Sequence, residues 1–151
     1  MKKKNQELSK VMGLYRKMYD HNLRGHKKIA RMYQHIIRLL YSADIPYTVK
    51  LGKNADLMHG GLGTVIHENA IVGDNCKIYQ HVTLAGNDNG APIIGNNVLI
   101  GTGAFLLGPI KVGDNAKIGA NAVVLTDVPA NATAVGVPAK IIERVEGNVD
   151  E

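Results

Sequence analysis

Residues 94–129 read IGNNVLIGTGAFLLGPIKVGDNAKIGANAVVLTDVP, and within them an aliphatic residue returns at every sixth position: Ile94, Ile100, Leu106, Val112, Ile118 and Val124. A period of six is neither the 3.6 of a helix nor the 2 of a plain strand, so it must come from a unit that turns a corner every few residues, a hexapeptide solenoid. The rhythm extends backwards through Leu84, Ile78, Val72, Ile66, Leu57 and Leu51. All twelve positions are expected to point inward. Gly, Asp or Asn commonly follow, as in Val72-Gly73-Asp74-Asn75 and Val112-Gly113-Asp114-Asn115, and these residues tolerate the left-handed backbone of a sharp corner. Four places after an inside residue comes a compact or apolar one, such as Ala70, Cys76, Val82, Ala104, Ala116 or Ala122.

Two intervals break the rhythm. Leu57 to Ile66 is nine residues and Leu84 to Ile94 is ten, so the extra residues must bulge outward. The first bulge is Met58-His59-Gly60-Gly61-Leu62-Gly63 and the second is Ala85-Gly86-Asn87-Asp88-Asn89-Gly90-Ala91-Pro92. In a regular solenoid such loops are where function is expected.

Outside the repeats, residues 6–21 and 26–42 read as helices separated by Gly25, and Pro46 stops the helical pattern. Ile29, Met32, Tyr33, Ile36, Ile37 and Leu40 fall on one side of the second helix, which can lie on the solenoid, on another subunit or on a membrane surface. Residues 1–42 hold eleven Lys or Arg against Glu7 and Asp20, a net of +9, whereas residues 43–151 hold seven against eleven, a net of −4. Such a segment can meet an anionic membrane, nucleic acid or an acidic neighbouring subunit, or simply be solvated. The chain is thus divided into a basic helical segment (1–43), a β-helix domain (44–142) and a C-terminal tail (143–151). Cys76 is the only cysteine, which excludes an intrachain disulfide and a cysteine metal cluster. The start MKKKNQ lacks a signal-peptide core and no run approaches the ~20 apolar residues of a membrane span, so a cytoplasmic protein, soluble or peripheral, is expected.

The chain resembles the left-handed parallel β-helix acyltransferases, and most closely the serine acetyltransferase branch as found in bacterial surface-polysaccharide gene clusters. The likeness rests on Asp44-Ile45, His59 after Leu57-Met58, Val82-Thr83-Leu84-Ala85-Gly86, the repeats from Ile94, and the ending Ala134-Val135-Gly136-Val137-Pro138-Ala139-Lys140-Ile141-Ile142. It implies a mainly β fold, a left-handed β-helix preceded by short N-terminal helices, three subunits forming a homotrimer, and acetyl-CoA as donor in a groove between neighbours. It also implies His59 as catalytic base and Asp44, fifteen positions earlier, as the carboxylate that orients it. Coenzyme A contacts would come from Gly86, Thr102 and Ala120, with Lys140 near the 3′-phosphate.

The chain departs from serine acetyltransferases where those enzymes grip the amino acid. Met58 stands in place of an aspartate that meets the ammonium, and Gly90-Ala91 in place of an arginine-histidine pair that meets the carboxylate. Each missing charge-assisted hydrogen bond would cost ~1.5–3 kcal/mol, which favours a neutral hydroxyl acceptor, a sugar or glycan, over serine. Met58, His81, Asn87 and Asp88 are the candidate acceptor contacts; Asn87 and Asp88 can equally form an ordinary Asx turn. Expected partners are therefore a hydroxyl acceptor and two further copies, with a peripheral inner-membrane contact open and nucleic acid not expected. Serine O-acetylation and a non-catalytic hexapeptide scaffold are the alternatives. A three-histidine metal site from His59, His67 and His81 has the right count but not the local pattern of the metal-dependent lyases that share this fold, so no metal is expected.

Overall fold

The computed structural model describes residues 8–142; the tail 143–151 and the first residues of the expected helix at 6–21 lie outside them. The repeats build a left-handed parallel β-helix of about four turns with three flat faces. One face stacks β1 (Lys50–Leu51), β4 (Ile71–Val72), β7 (Ile93–Ile94) and β10 (Lys111–Val112). The second stacks β2 (Asp56–Leu57), β5 (Lys77–Ile78), β8 (Leu99–Ile100), β11 (Lys117–Ile118), β13 (Thr133–Val135) and an antiparallel β14 (Lys140–Ile142). The third stacks β3 (Val65–Ile66), β6 (Thr83–Ala85), β9 (Phe105–Leu107) and β12 (Val123–Val124).

All twelve inside residues are buried, none more than 4% exposed, and the six compact residues that follow them are buried too. Strand pairing shows how the coil absorbs its insertions. Ile93 pairs with Lys111, Leu99 with Lys117 and Phe105 with Val123, each eighteen residues apart. Across the first bulge the offset becomes 21, as in Asp56 with Lys77, and across the second it becomes 22, as in Ile71 with Ile93. Neighbouring strands keep their register while the surplus leaves the prism at its corners. At the far end the rhythm shortens instead: Val128 bridges to Val112 and Lys117 pairs with Thr133, both sixteen apart, so Val128 and Ala134 continue the buried column beyond Val124.

Both ends of the stack are covered, as a solenoid requires. β14 folds back on β13 at one end. At the other, α1 (Lys10–Leu23) buries Val11, Met12, Tyr15 and Met18 against the first coil, the spacing of one helical face. Polar groups pin it there. Ser9 Oγ donates to Asp56 Oδ1 at 2.5 Å, Tyr15 Oη donates to the Val49 carbonyl at 2.9 Å and accepts from the Leu51 amide at 2.8 Å. Arg16 donates to the Leu51 and Gly52 carbonyls at 3.1 and 2.7 Å. Burial pushes the Tyr15 hydroxyl up to about pKa 12.

α2 (Lys27–Tyr41) lays only part of its apolar side on this chain. Only Ala30 and Ile37 are buried, with Tyr33 and Tyr41 half-buried, whereas Ile29, Met32, Leu39 and Leu40 are exposed, Leu39 at 82%. The packed stripe is narrower than the apolar arc because α1 and the coil meet only one edge of it. Among the described residues no helix is long and apolar enough to cross a membrane.

Candidate active site

The first bulge forms a 3₁₀ turn, Met58–Gly61, between β2 and β3. His59 sits in it at φ 55°, ψ 33°, the left-handed corner conformation that Asn75, Asn97, Asn115 and Asn131 adopt elsewhere. Gly60 follows at φ 70°, backbone that favours glycine, and a Cβ there would lie a tight 3.1 Å from the Tyr41 ring. The His59 side chain is exposed, with its ring 6.2 Å from the Tyr79 ring centre to centre.

The end of α2 holds this loop. Ser42 caps the helix in the left-handed region and donates to the Arg38 carbonyl at 3.1 Å, while its own carbonyl accepts from Gly63 at 2.9 Å. Asp44 donates its amide to the Thr64 carbonyl and accepts from the Ile66 amide, pairing as an isolated bridge with Val65. Its backbone is thereby clasped to the strand that leaves the His59 loop. Its carboxylate faces Arg38, with Oδ2 3.6 Å from Nη1. Among the described residues no hydrogen bond joins Asp44 to His59.

His59, His81, Thr102 and Ala120 occupy one edge of the prism, the corner between the second and third faces, at successive levels. The Leu62 carbonyl accepts from His81, the Gln80 carbonyl from Gly103 and the Thr102 carbonyl from Asn121, which fixes the stack. His81 also has positive φ, and its ring folds over Gly63, where a Cβ would meet Nδ1 at 2.1 Å; Asn121 covers Gly103 in the same way. Lys140, exposed at the start of β14 and paired with Val135, stands at the foot of this stack. From β2 to β14 is five strand spacings, about 24 Å. An elongated ligand along this edge would meet residues from every level.

The second bulge lies on the next edge, between the third and first faces. Asn87 and Gly90 pair as an antiparallel bridge, and Asn87 Oδ1 accepts from the Asn89 amide at 2.9 Å, an Asx turn. Asp88 is exposed at its tip. Gly86 lies under the His67 ring, so that a Cβ would come within 2.7 Å of it; the space that glycine leaves is already filled by this chain. His67 Nδ1 accepts from the Asn69 amide at 3.2 Å. Since His67 belongs to this second edge, the three histidines do not converge within the chain. Among the described residues there is no group of three His, Cys, Asp or Glu side chains placed to hold a metal. Cys76 is fully buried with Sγ 3.0 Å from the Gly95 carbonyl oxygen, and burial pushes its thiol up, so it offers no accessible thiolate.

Sequence reasoning passed over Tyr41 and Tyr79, which reach the His59 loop from another element and another level, and over the pairing of Arg38 with Asp44. Only the separation of Arg38 from Asp44 by six residues, across a helix end, offered a signal.

The Bacterial transferase hexapeptide (six repeats) family matches residues 91–126. The serine acetyltransferase of Synechococcus elongatus is 45% identical over 126 residues, 81% of this chain and 51% of the relative. That of Helicobacter pylori is 43% identical over 120 residues, 77% of this chain and 70% of the relative. A solved serine acetyltransferase in complex with CoA superimposes with a TM-score of 0.80 at 37% identity, covering 87% of this chain and 55% of that one. The chain spans about half the length of the Synechococcus relative. With the coil, its ending and these likenesses in agreement, the chain belongs to the hexapeptide-repeat acyltransferases, in their serine acetyltransferase-like branch.

Proposed function

We propose that this chain transfers an acetyl group from acetyl-CoA to a hydroxyl, with His59 as general base. One observation carries the reading: an exposed imidazole heads the edge along which Thr102, Ala120 and Lys140 follow, the positions that the family resemblance gives to coenzyme A. Neutral His59 takes the acceptor proton as the oxygen attacks the thioester carbonyl. Collapse of the tetrahedral intermediate then expels the thiolate, which the imidazolium reprotonates. General-base assistance of this kind is worth typically ~10²–10⁴ in rate. The role of Asp44 in orienting His59 is supported by its backbone clasp to Thr64 and Ile66 beside the loop. Gly86 with the second bulge, Asn87 and Asp88, stands on the adjacent edge. Their part in the reaction therefore belongs to a homotrimer, in which a neighbouring copy brings that edge to the His59 side of the next.

Serine is the acceptor that the relatives favour, since they are serine acetyltransferases. A sugar hydroxyl is the second reading, and one observation favours it: Met58 and Gly90-Ala91 leave the ammonium and carboxylate of an amino acid without the charged partners expected there. The setting is cytoplasmic. A peripheral membrane contact through α2 is motivated by its exposed Met32, Leu39 and Leu40 beside Lys28 and Arg31.

The experiment is thiol release from acetyl-CoA in the presence of serine, free sugars or nucleotide-sugars, each product read by mass. Acetylated serine supports the first acceptor, acetylated sugar alone the second. No acceptor-dependent release with any of them leaves the non-catalytic scaffold.

A further inference from the structure

The loop that carries His59 is anchored to the next coil on both sides. Leu57 pairs with Ile78 just before the bulge, and the Leu62 carbonyl accepts from the His81 amide at 2.8 Å just after it. Between those anchors the first coil has four residues, Met58–Gly61, and the second has only Tyr79 and Gln80. The surplus pushes the imidazole outward, where the Tyr79 ring meets it. The two ring centres lie 6.2 Å apart with the planes tilted by 51°. Tyr79 is itself set by the coil above, since its amide donates to the Ile100 carbonyl at 3.0 Å.

A general base needs its ring held, because a misplacement of about 1 Å costs on the order of 10²-fold in rate. A carboxylate on the second ring nitrogen often does this. Among the described residues no hydrogen bond joins the His59 ring to Asp44, whose carboxylate faces Arg38. The contact with Tyr79 is of the tilted kind that aromatic pairs prefer, inside their range of about 4.5–7 Å between centres. Tyr79 is half-buried and His59 exposed, so the tyrosine is the fixed partner and the imidazole the one that needs holding.

We propose that Tyr79 is a positioning residue for His59. Its ring restricts the imidazole to one orientation and leaves the opposite side of the imidazole to the acceptor and the thioester. Tyr79 makes and breaks no bond, and the contact depends on its aromatic ring, not on its hydroxyl. It acts beside Asp44, from a different coil and through packing instead of charge. The inference rests on the acetyl-transfer reading and adds to it a residue from outside the first bulge.

The test combines turnover with the proton resonances of the His59 ring, in wild type, Tyr79→Phe, Tyr79→Leu and Tyr79→Ala. With acetyl-CoA and the acceptor found by the mass screen, Tyr79→Leu and Tyr79→Ala are expected to lose about 10-fold in kcat with either KM within about twofold, while Tyr79→Phe stays within about threefold of wild type. The His59 ring protons, assigned by their absence in His59→Asn, are expected to carry a ring-current shift that Tyr79→Phe keeps and the other two lose. Leucine fills the position without a ring, and its melting transition separates lost positioning from lost folding. A kcat within twofold of wild type in folded Tyr79→Leu overturns the proposal, as does a His59 resonance indifferent to the Tyr79 ring. A rise in KM at unchanged kcat overturns it and assigns Tyr79 to ligand binding; a loss in Tyr79→Phe equal to that in Tyr79→Ala overturns it and assigns the role to the hydroxyl. Wild type that releases no thiol with any acceptor brings down the acetyl-transfer reading and the proposal with it, whereas failure of the proposal alone leaves wild type turning over.

Discussion

The corner between the first and second faces and the corner between the second and third turn by the same backbone rule and differ in what the corner residue does. At the corner between the first and second faces Asn54, Asn75, Asn97, Asn115 and Asn131 take the left-handed position, and polar groups there serve the next level: Asp114 Oδ1 accepts from Asn96 at 2.7 Å, Asn54 Nδ2 donates to Asn75 at 3.2 Å and Asn115 Nδ2 to Asn131 at 3.1 Å. At the corner between the second and third faces the first coil puts His59 in that conformation with its ring exposed. Repetition consumes polar side chains in self-recognition. A corner whose polar group is left over is therefore the place to look for chemistry.

If the comparison is right, damage to the regular part should cost stability. Leu106→Ala, at a fully buried inside position, is expected to lower stability by about 2–5 kcal/mol, read as the denaturant midpoint. A loss well under 1 kcal/mol would mean that the coil does not depend on its aliphatic column.

The clasp of α1 sharpens the other side, because the first coil is held by helices and not by repeats below it. The Tyr15 hydroxyl is raised from 10 to about 12 by burial, so the folded state favours its neutral form. Its contribution is fully present below pH 10 and is lost as pH rises through about 12. That window is worth on the order of 2–3 kcal/mol at most. Tyr15→Phe should lower stability at neutral pH by about 1–2 kcal/mol through the lost bonds to Val49 and Leu51. It should also remove this share of the alkaline loss. Thermal melts of both proteins between pH 8 and 11.5 check it, and parallel curves would contradict the assignment.

The smallest effect belongs to Cys76. Cys76→Ala should change acetyl transfer by less than about twofold, because the thiol is buried and protonated and general-base catalysis needs no acyl-cysteine. Loss of turnover with an intact melting transition would restore the covalent route.

Much of this architecture is legible in the chain because a repeat repeats its environment. All twelve inside residues, the compact positions after them and both outward bulges are where a period of six puts them, since each coil meets copies of itself. The helices run Lys10–Leu23 and Lys27–Tyr41, close to the stretches that periodicity marks. What periodicity misses is contact between unlike parts. The buried stripe of α2 depends on how much of it α1 covers, and Asp44 meets Arg38 across a helix end that no pattern links to a corner. Asn87 illustrates the reverse, since its Oδ1 closes the hairpin of its own loop, one of two roles its type allows.

The central claim is that the imidazole at the first corner does the chemistry while the corner itself needs only a residue that accepts left-handed backbone. His59→Asn tests it most directly, because asparagine holds that conformation throughout the repeats. With acetyl-CoA and the acceptor identified by the mass screen, the turnover of His59→Asn is expected to fall by about 10²–10⁴ with the melting temperature nearly unchanged. Turnover within a few-fold of wild type in a folded His59→Asn would contradict the account.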